Sequence, residues 1–525
     1  MNIPTQAKTG LEWPPANLIS PLAENLLLFA RSYRFREPAP EIPDARKAQG
    51  KIAPISRSPM ALHSDYEIRW KNYRAFEDTG WINIRPLTIL IGPNNSGKTS
   101  VISPLLLLKQ TMSSSDGVTP LVTRGPLVDA GYFKNIVHNH DISKPLFLGL
   151  RYHLHEEKGK IDKIGSYPPG GIELTLAAGE RAEDIVLRRF ALFDVLRRPF
   201  LVESRNRNGS YMLKSDAFRL VKRRERDAIE QSRPVNFLFQ SSIAFRRLQL
   251  QGERSERVSH AQPSVGFLIY AAALSAVNGE LGDLFTDLSY IGPLRERPQR
   301  YYSITGERLA SVGSRGEHMA NLVRRRQSAL QDRLDHWIRR FEFGTGLVVD
   351  NLSDEFFSLS FVDSKKSVKT NIAEAGFGAS QVLPLIVQAL AAREQSLTIA
   401  EQPEIHLNPR LQYVLADLFV EMANSDHRLI VETHSEHLLL RLRRLVADGK
   451  IDHRQVAIYF VEKNNGVSGI RRVDLLDNGH VLSWPKGFFG DTLKESLALS
   501  AAQSRKPTPS QPLPSVREQG QKVGS

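Results

Sequence analysis

The residues best equipped for chemistry lie in one octet, Gly92-Pro93-Asn94-Asn95-Ser96-Gly97-Lys98-Thr99. It has the G-x-x-x-x-G-K-[ST] spacing of a loop that wraps a phosphate chain. The two glycines let backbone N–H groups turn inward on the ligand. Lys98 brings a positive charge to the β- and γ-phosphates, and the Thr99 hydroxyl is a hard ligand for Mg²⁺. An apolar run, Leu87-Thr88-Ile89-Leu90-Ile91, precedes the octet. Thr99-Ser100-Val101-Ile102-Ser103 follows and suits a helix start, whose N-terminus favours an anion. Strand, glycine-rich loop and helix, in that order, imply that the chain binds a nucleoside triphosphate.

Two later stretches extend this chemistry. The segment LTIAEQPEIHLN, residues 397–408, reads as a buried strand ending in Glu401, then Gln402, Pro403 and Glu404. A carboxylate at the end of a neighbouring strand is where such folds hold Mg²⁺, so Thr99 and Glu401 are expected to share the metal. Further on, Arg428-Leu429-Ile430-Val431 ends in Glu432-Thr433-His434-Ser435. A histidine there is placed to sense the γ-phosphate, although alone it would read as a satisfied histidine beside a helix N-cap. Upstream, Gly376-Phe377-Gly378-Ala379-Ser380-Gln381 opens a helix and makes a second anion-binding surface. One chain has no need of two such surfaces, whereas two chains face to face could use both on one nucleotide.

A split nucleotide-binding domain must position these groups. Its first part is expected over 60–112 and its second over 372–462. The second part reads as helix 378–392, strand 397–400 with helix 409–422, strand 428–431 with helix 435–447, and strand 455–461. Apolar strands alternating with helices predict an α/β fold with a mostly parallel sheet covered on both faces. Between the two parts, 113–371 reads as a large mixed α+β insertion. Its expected strands lie at 146–153, 171–176 and 184–193, and its helices at 266–277 and 317–341. No heptad is sustained, which argues against a long coiled coil. Residues 463–501 read as a small C-terminal module and 502–525 as a disordered tail. The proline-interrupted 1–59 reads as a disordered or mis-assigned extension, with Met60 near the true start. A regulatory arm or a targeting segment is the alternative.

The chain has 525 residues, 41% of them hydrophobic, enough for a sizeable core and two or more domains. It has no cysteine, which excludes disulfides and thiolate metal sites and suits a reducing cytosol. Apolar runs such as 104–108 fall far short of the ~18 residues that span a bilayer. A cytoplasmic protein without a membrane partner is therefore expected. The net charge of +13 is concentrated: 197–260 carries +8 and 295–340 carries +6. Such basic surfaces are the electrostatic footprint of a nucleic-acid binder, or of a solvated face, or of a patch for an acidic partner.

The ordered set GPNNSGKT, GFGASQ, EQPEIHLNP and ETHSEHLL resembles the ABC-type ATPases of the SMC and RecF group. It is most similar to the overcoming-lysogenization-defect (OLD) branch and its relatives in bacterial phage defence. Tyr290-Ile291-Gly292-Pro293-Leu294-Arg295-Glu296 also resembles a segment of that branch, and the stretch around 484–491 a C-terminal module found in some members. The resemblance implies a head-to-tail homodimer with two ATP molecules sandwiched between subunits. Lys98 and Thr99 would grip ATP in one subunit, and Ser380 and Gln381 would close over its γ-phosphate from the other. Glu401 would serve Mg²⁺ and His434 the γ-phosphate, with Asn408 and Pro409 in the loop that crosses the interface.

Two features depart from that pattern. Gln402 stands where most of the family carries a glutamate that orients or deprotonates water, which points to slow hydrolysis with Glu404 as the other candidate base. Glu462, Asp474 and Asp477 do not form the acidic nuclease cluster of OLD proteins, so any nuclease is expected on a separate effector. The sequence thus reads as an ATPase that dimerises on ATP and controls DNA binding or a partner effector. The competing readings are an SMC-like DNA repair ATPase and an ATP-dependent sensor or scaffold that touches no nucleic acid. A transporter ATPase is a weaker fourth, since coupling to membrane helices needs no basic insertion.

Overall fold

The computed structural model describes residues 64–154, 169–181, 184–253, 262–307, 309–363 and 368–484. The extension at 1–59, the tail at 502–525 and most of the stretch around 484–491 lie outside the described residues.

The centre is a six-stranded sheet built from β4 (Leu87–Ile91), β10 (Leu288–Ile291), β15 (Leu397–Glu401), β16 (Arg428–Glu432), β17 (Val456–Asn464) and β18 (Val467–Val473). The strand order is β10-β15-β16-β4-β17-β18. The first five are parallel, and β18 returns antiparallel on β17. That return is made by Asn465 and Gly466, both at positive φ, as an Asn-Gly hairpin requires. Every residue of β4, β15 and β16 is buried, the mark of a parallel sheet covered on both sides. The strand period of two sorts these residues between two cores. Leu90, Ile399, Ile430 and Tyr459 face one, and Leu87, Ile89, Ala400, Val431 and Ile458 face the other.

The second face is covered by α5 (Met319–Arg340), α6 (Phe377–Ala391), α7 (Pro409–Asn424) and α8 (Glu436–Ala447). A small antiparallel sheet of β11 (Tyr302–Ser303), β12 (Gly346–Asn351), β13 (Phe356–Asp363) and β14 (Val368–Asn371) packs with them. The expected boundary at 371/372 is therefore not a structural division. Strand β10 and helix α5 precede it in sequence but belong to the parallel lobe.

The first face is covered by α1 (Lys98–Met112), α2 (Arg223–Glu230), α3 (Ser241–Glu253) and α4 (Val265–Thr286), together with an eight-stranded sheet. That sheet holds β1 (Ser64–Tyr73), β2 (Phe76–Asp78), β3 (Ile82–Ile84), β5 (Leu146–Leu154), β6 (Pro169–Ala178), β7 (Ile185–Asp194), β8 (Pro199–Arg205) and β9 (Tyr211–Lys214). All its pairings are antiparallel, so the expectation of a mostly parallel fold holds for the central sheet alone. Because β1 pairs with β5 from Ser64↔Leu154 to Lys71↔Phe147, the expected boundary at 112/113 also disappears. This sheet steadies the helix behind the phosphate loop: Trp70 Nε1 donates to the Val101 carbonyl at 2.7 Å, and the Tyr73 and Ser103 hydroxyls bond at 2.8 Å.

Helix α4 is longer than the expected 266–277 and is, by length and composition alone, apolar enough to cross a membrane. Its apolar residues, Phe267, Tyr270, Leu274, Val277 and Leu281 among them, are buried in the first core.

Candidate nucleotide-binding site

The loop from Gly92 to Gly97 leaves the C-terminal end of β4, the end where open α/β sheets bind ligands. Gly92 is required by space: a Cβ there would sit 2.1 Å from the Val461 carbonyl oxygen of β17. Gly97 caps α1 in the left-handed region at φ 101°, and no side chain caps the helix. The first N–H groups of α1 are thus left for a ligand. Ser96 Oγ is buried without a hydrogen-bond partner. Lys98 is only 4% exposed and folds back, its Nζ donating to the carbonyls of Gly92 at 3.1 Å and Pro93 at 2.8 Å. Burial pulls its pKa down, opposed by the charges of Glu432 and Glu404. A lysine held on its own loop, an unmet hydroxyl and an uncapped helix together fit the phosphates of a nucleotide.

The Thr99 hydroxyl meets a carboxylate other than the one it is expected to share a metal with. Thr99 Oγ1 donates to Glu432 Oε2 at 3.0 Å, not to Glu401. The reason is topological: β16 lies between β4 and β15, with Glu432 beside Leu90 and Glu401 beside Glu432. At the usual strand spacing, Glu401 stands about 9–10 Å across the sheet from β4. Its Oε1 accepts from the Tyr290 hydroxyl at 3.0 Å. Burial, and then the charge of Glu432, raise the Glu401 pKa to about 7. Burial likewise raises Glu432, partly offset by Lys98 and the Thr99 hydroxyl. Among the described residues no group of three acidic or histidine side chains is spaced to enclose a metal. Mg²⁺ itself takes one or two carboxylates and completes its shell with phosphate and water. Thr99, Glu432 and Glu401 fit that role.

Glu404 lies deeper than its place in a turn suggests. Its Oε1 accepts from the backbone N–H of His434 at 2.7 Å, and its Oε2 is buried without a partner. Burial raises its pKa, with the His434 amide, the Thr433 hydroxyl and Arg295 pulling the other way. Gln402 is half-buried at φ 44°, a left-handed conformation unusual for glutamine, and its N–H closes on the Glu432 carbonyl at 2.7 Å. Such strain in a non-glycine residue is concentrated at functional sites. His434 has its pKa lowered by burial and by the charge of Lys98, which places the ring near the phosphate loop. Ser435, next to it, caps α8 by accepting from Leu438 N–H at 2.9 Å.

The second anion surface is partly turned inward. Ser380 and Gln381 are 6% and 3% exposed inside their own chain, so neither side chain is presented to a facing subunit. The exposed part of that turn is Glu374 and Gly376. It lies against the strand-end loop, since a Cβ on Gly378 would meet the His406 carbonyl oxygen at 3.3 Å. Asn408 and Pro409 are exposed, with Asn408 Oδ1 capping α7 through the Leu411 N–H at 3.0 Å.

Three residues that stand among these groups, Glu432, Tyr290 and Arg295, lie in segments that the sequence marks but receive no role from it. Glu432 ends its apolar strand as Glu401 does, and that shared position was the available signal. Arg295 is 7% exposed, and one Nη donates to the Glu401 carbonyl at 2.9 Å. Burial lowers its pKa to about 10, with Glu404 the foremost charge opposing the fall.

The two basic stretches also part company. Most of 295–340 is consumed internally: Arg300 pairs with Glu374 at 2.7 Å, Arg315 with Glu296 at 2.8 Å, Arg333 with Glu421 at 3.2 Å and Arg340 with Asp417. Arg326 donates to the Ala391 carbonyl at 2.7 Å. Much of the charge of that stretch is thus met within the chain. In the other stretch Arg219, Arg223 and Arg226 are exposed around α2, while Lys222 and Arg224 are half-buried.

No curated protein matches the chain. Among solved structures it aligns with the SMC head domain from Thermotoga maritima at 12% identity and a TM-score of 0.33, covering 78% of this chain and 99% of that one. It also aligns with an Smc head domain carrying an extended coiled coil, bound to the C-terminal domain of ScpA, from Pyrococcus furiosus. There the identity is 11% and the TM-score 0.35, over 84% of this chain and 100% of the other. Scores this low give the likeness no weight for fold or function. Residues 451–499 match a family described as a protein of unknown function (DUF3696). Residues 87–441, from the first residue of β4 into α8, match the family described as "AAA domain, putative AbiEii toxin, Type IV TA system". With more than half of its length matched, and the phosphate loop and all three glutamates inside the match, the chain belongs to this AAA-domain family.

Proposed function

We propose that the chain is an ATPase that binds ATP and Mg²⁺ at the C-terminal ends of β4, β15 and β16 and hydrolyses it slowly. The observation that carries this reading is the uncapped phosphate loop, with Lys98 turned onto its own carbonyls beside Glu432 and Glu404. Lys98 and the N–H groups at the start of α1 would hold the phosphates. Thr99, Glu432 and Glu401 would hold the metal, and His434 would face the terminal phosphate. Bound ATP supplies a phosphoanhydride bond to water, and Mg²⁺ supplies charge neutralisation there. Glu404 orients the attacking water and accepts its proton; Gln402 accepts or donates hydrogen bonds but takes no proton.

We further propose that two chains close head to tail on two nucleotides. Exposed Gly376, Asn408 and Pro409 lie on the surface offered to the partner, and Ser380 and Gln381 support it from beneath. The exposed arginines of α2 would carry a DNA backbone, and closure would control that binding or a separate effector such as a nuclease. Phage defence, on the sequence resemblance, is the setting. A second reading, a sensor or scaffold that touches no nucleic acid, is favoured by the internal use of the 295–340 arginines. Mg²⁺-dependent ATP turnover by the full chain, with light scattering with and without ATP, tests the proposal. No turnover and no ATP binding would sink the enzyme, and a constant mass would sink the dimer.

A further inference from the structure

Two groups of opposite charge near the strand ends leave buried polar atoms unsatisfied. Arg295 spends one nitrogen on the Glu401 carbonyl, while its Nε and second Nη are buried without partners. Glu404 spends Oε1 on the His434 amide and has the Thr433 hydroxyl against its carboxylate, while its Oε2 is buried without a partner. Unmet polar atoms in a core are rare enough to need a reason, and unmet donors on a guanidinium are costly. The other carboxylates nearby are already engaged, Glu401 with Tyr290 and Glu432 with Thr99. No ion pair joins Arg295 to Glu404 among the described residues, yet each feels the other's charge.

The loop carrying Arg295 does not need it as an anchor. Gly292 N–H donates to the Ser314 carbonyl and Glu296 N–H to the Arg315 carbonyl, each at 2.8 Å. Arg315 also pairs with Glu296 at 2.8 Å. The backbone on both sides is thus stapled, and the arginine side chain is left to act on the site.

We propose that Arg295 is a positioning residue for hydrolysis, holding the Glu404 carboxylate by its Oε2 side so that it faces the attacking water. This rests on the reading of Glu404 as the carboxylate that orients that water. The His434 amide fixes one oxygen, and the guanidinium fixes the other, directly or through one bridging water. A carboxylate oxygen has lone pairs for both the guanidinium and the attacking water. A lysine would supply the charge without the fork that reaches the Glu401 carbonyl and Glu404 together.

Steady-state ATP hydrolysis by the full chain with Mg²⁺ provides the test. Arg295→Gln is expected to lower kcat about 10- to 100-fold, the scale of a misplaced catalytic group, and to leave KM within about twofold. Arg295→Lys should recover part of the loss. In a Glu404→Gln background, Arg295→Gln should cost nothing further, because the group it positions is gone. Should Arg295→Gln fail to fold, Arg295→Lys is compared in the same two backgrounds and carries the test. A raised KM with kcat kept would make Arg295 a phosphate ligand and overturn the proposal. So would independent, multiplying losses in the double variant. Unchanged kcat in an active enzyme would sink the inference alone, whereas a wild type without turnover would sink the ATPase reading and the inference with it.

Discussion

The parallel and antiparallel lobes both bury carboxylates, and they do so to different ends. At the strand ends of the parallel lobe, Glu401, Glu404 and Glu432 gather around Lys98 and Arg295, with unmet atoms on Ser96, Glu404 and Arg295. In the antiparallel lobe, Glu203 of β8 is fully buried: its Oε1 accepts from the Tyr270 hydroxyl of α4 at 2.7 Å, and its Oε2 is buried without a partner. Burial raises the pKa in both places. The shift alone therefore does not mark a site. Nor does an unmet atom, which Glu203 shares; converging charges beside a phosphate loop do.

If the parallel lobe alone handles nucleotide, Lys98→Ala should weaken ATP binding by on the order of 10²-fold or more, since several charge-assisted hydrogen bonds disappear. Calorimetry with ATP and Mg²⁺ would read it. Unchanged affinity would break the contrast at its root.

The same lobe should carry the dimer surface. Ser380 is too deeply buried for a clean blocking substitution, but Gly376 is exposed, sits at φ −56° and has open space around a built Cβ. Gly376→Arg should therefore leave folding and ATP binding intact while preventing ATP-driven dimerisation. A dimer persisting in light scattering would remove this turn from the interface.

How far the sequence reveals this division depends on the range of the forces involved. The phosphate loop, its strand and its helix are local, and so are the apolar runs that became β15, β16 and β17. Which strand lies beside β4 is not local, and for that reason the hydrogen bond from Thr99 to Glu432 is not legible in the sequence. Strand β10 is not legible because Ser289 and Tyr290 interrupt its short apolar run, so Tyr290 and Arg295 are marked only by the resemblance of their segment and receive no role from the sequence. The join of β1 to β5 spans the whole phosphate-loop helix, so no window of sequence reports it. A charge count over 295–340 also does not separate Arg340, paired with the largely buried Asp417, from Arg223, which is far more exposed and only loosely paired with Asp227 at 3.9 Å.

That last contrast can be sharpened. Charge reversal at Arg219, Arg223 and Arg226 should flatten the salt dependence of DNA binding, by about 0.9 in log–log slope for each duplex phosphate no longer neutralised. Reversal at Arg333 should leave the slope alone and lower stability, since it removes the partner of Glu421. A slope that answers to Arg333 and not to α2 would exchange the roles of the two stretches. Absence of DNA binding in the wild type would favour the scaffold reading.

The smallest effect concerns the antiparallel lobe by itself. Glu203 has its pKa raised to about 8 from an ordinary value near 4.5, through burial that the Tyr270 hydrogen bond only partly offsets. Between those values the unfolded chain carries an ionised Glu203 and the folded chain a protonated one. The folded state then binds the extra proton, so stability is full below about pH 4.5 and falls as pH rises towards 8. Glu203→Gln is neutral at every pH and keeps an oxygen to accept from Tyr270. The variant should match the wild type at pH 5 and exceed it at pH 8, with Tm higher by a few degrees, roughly 2–4 °C per kcal/mol for a domain of this class. A Tm difference that does not grow with pH would show that Glu203 ionises freely in the fold.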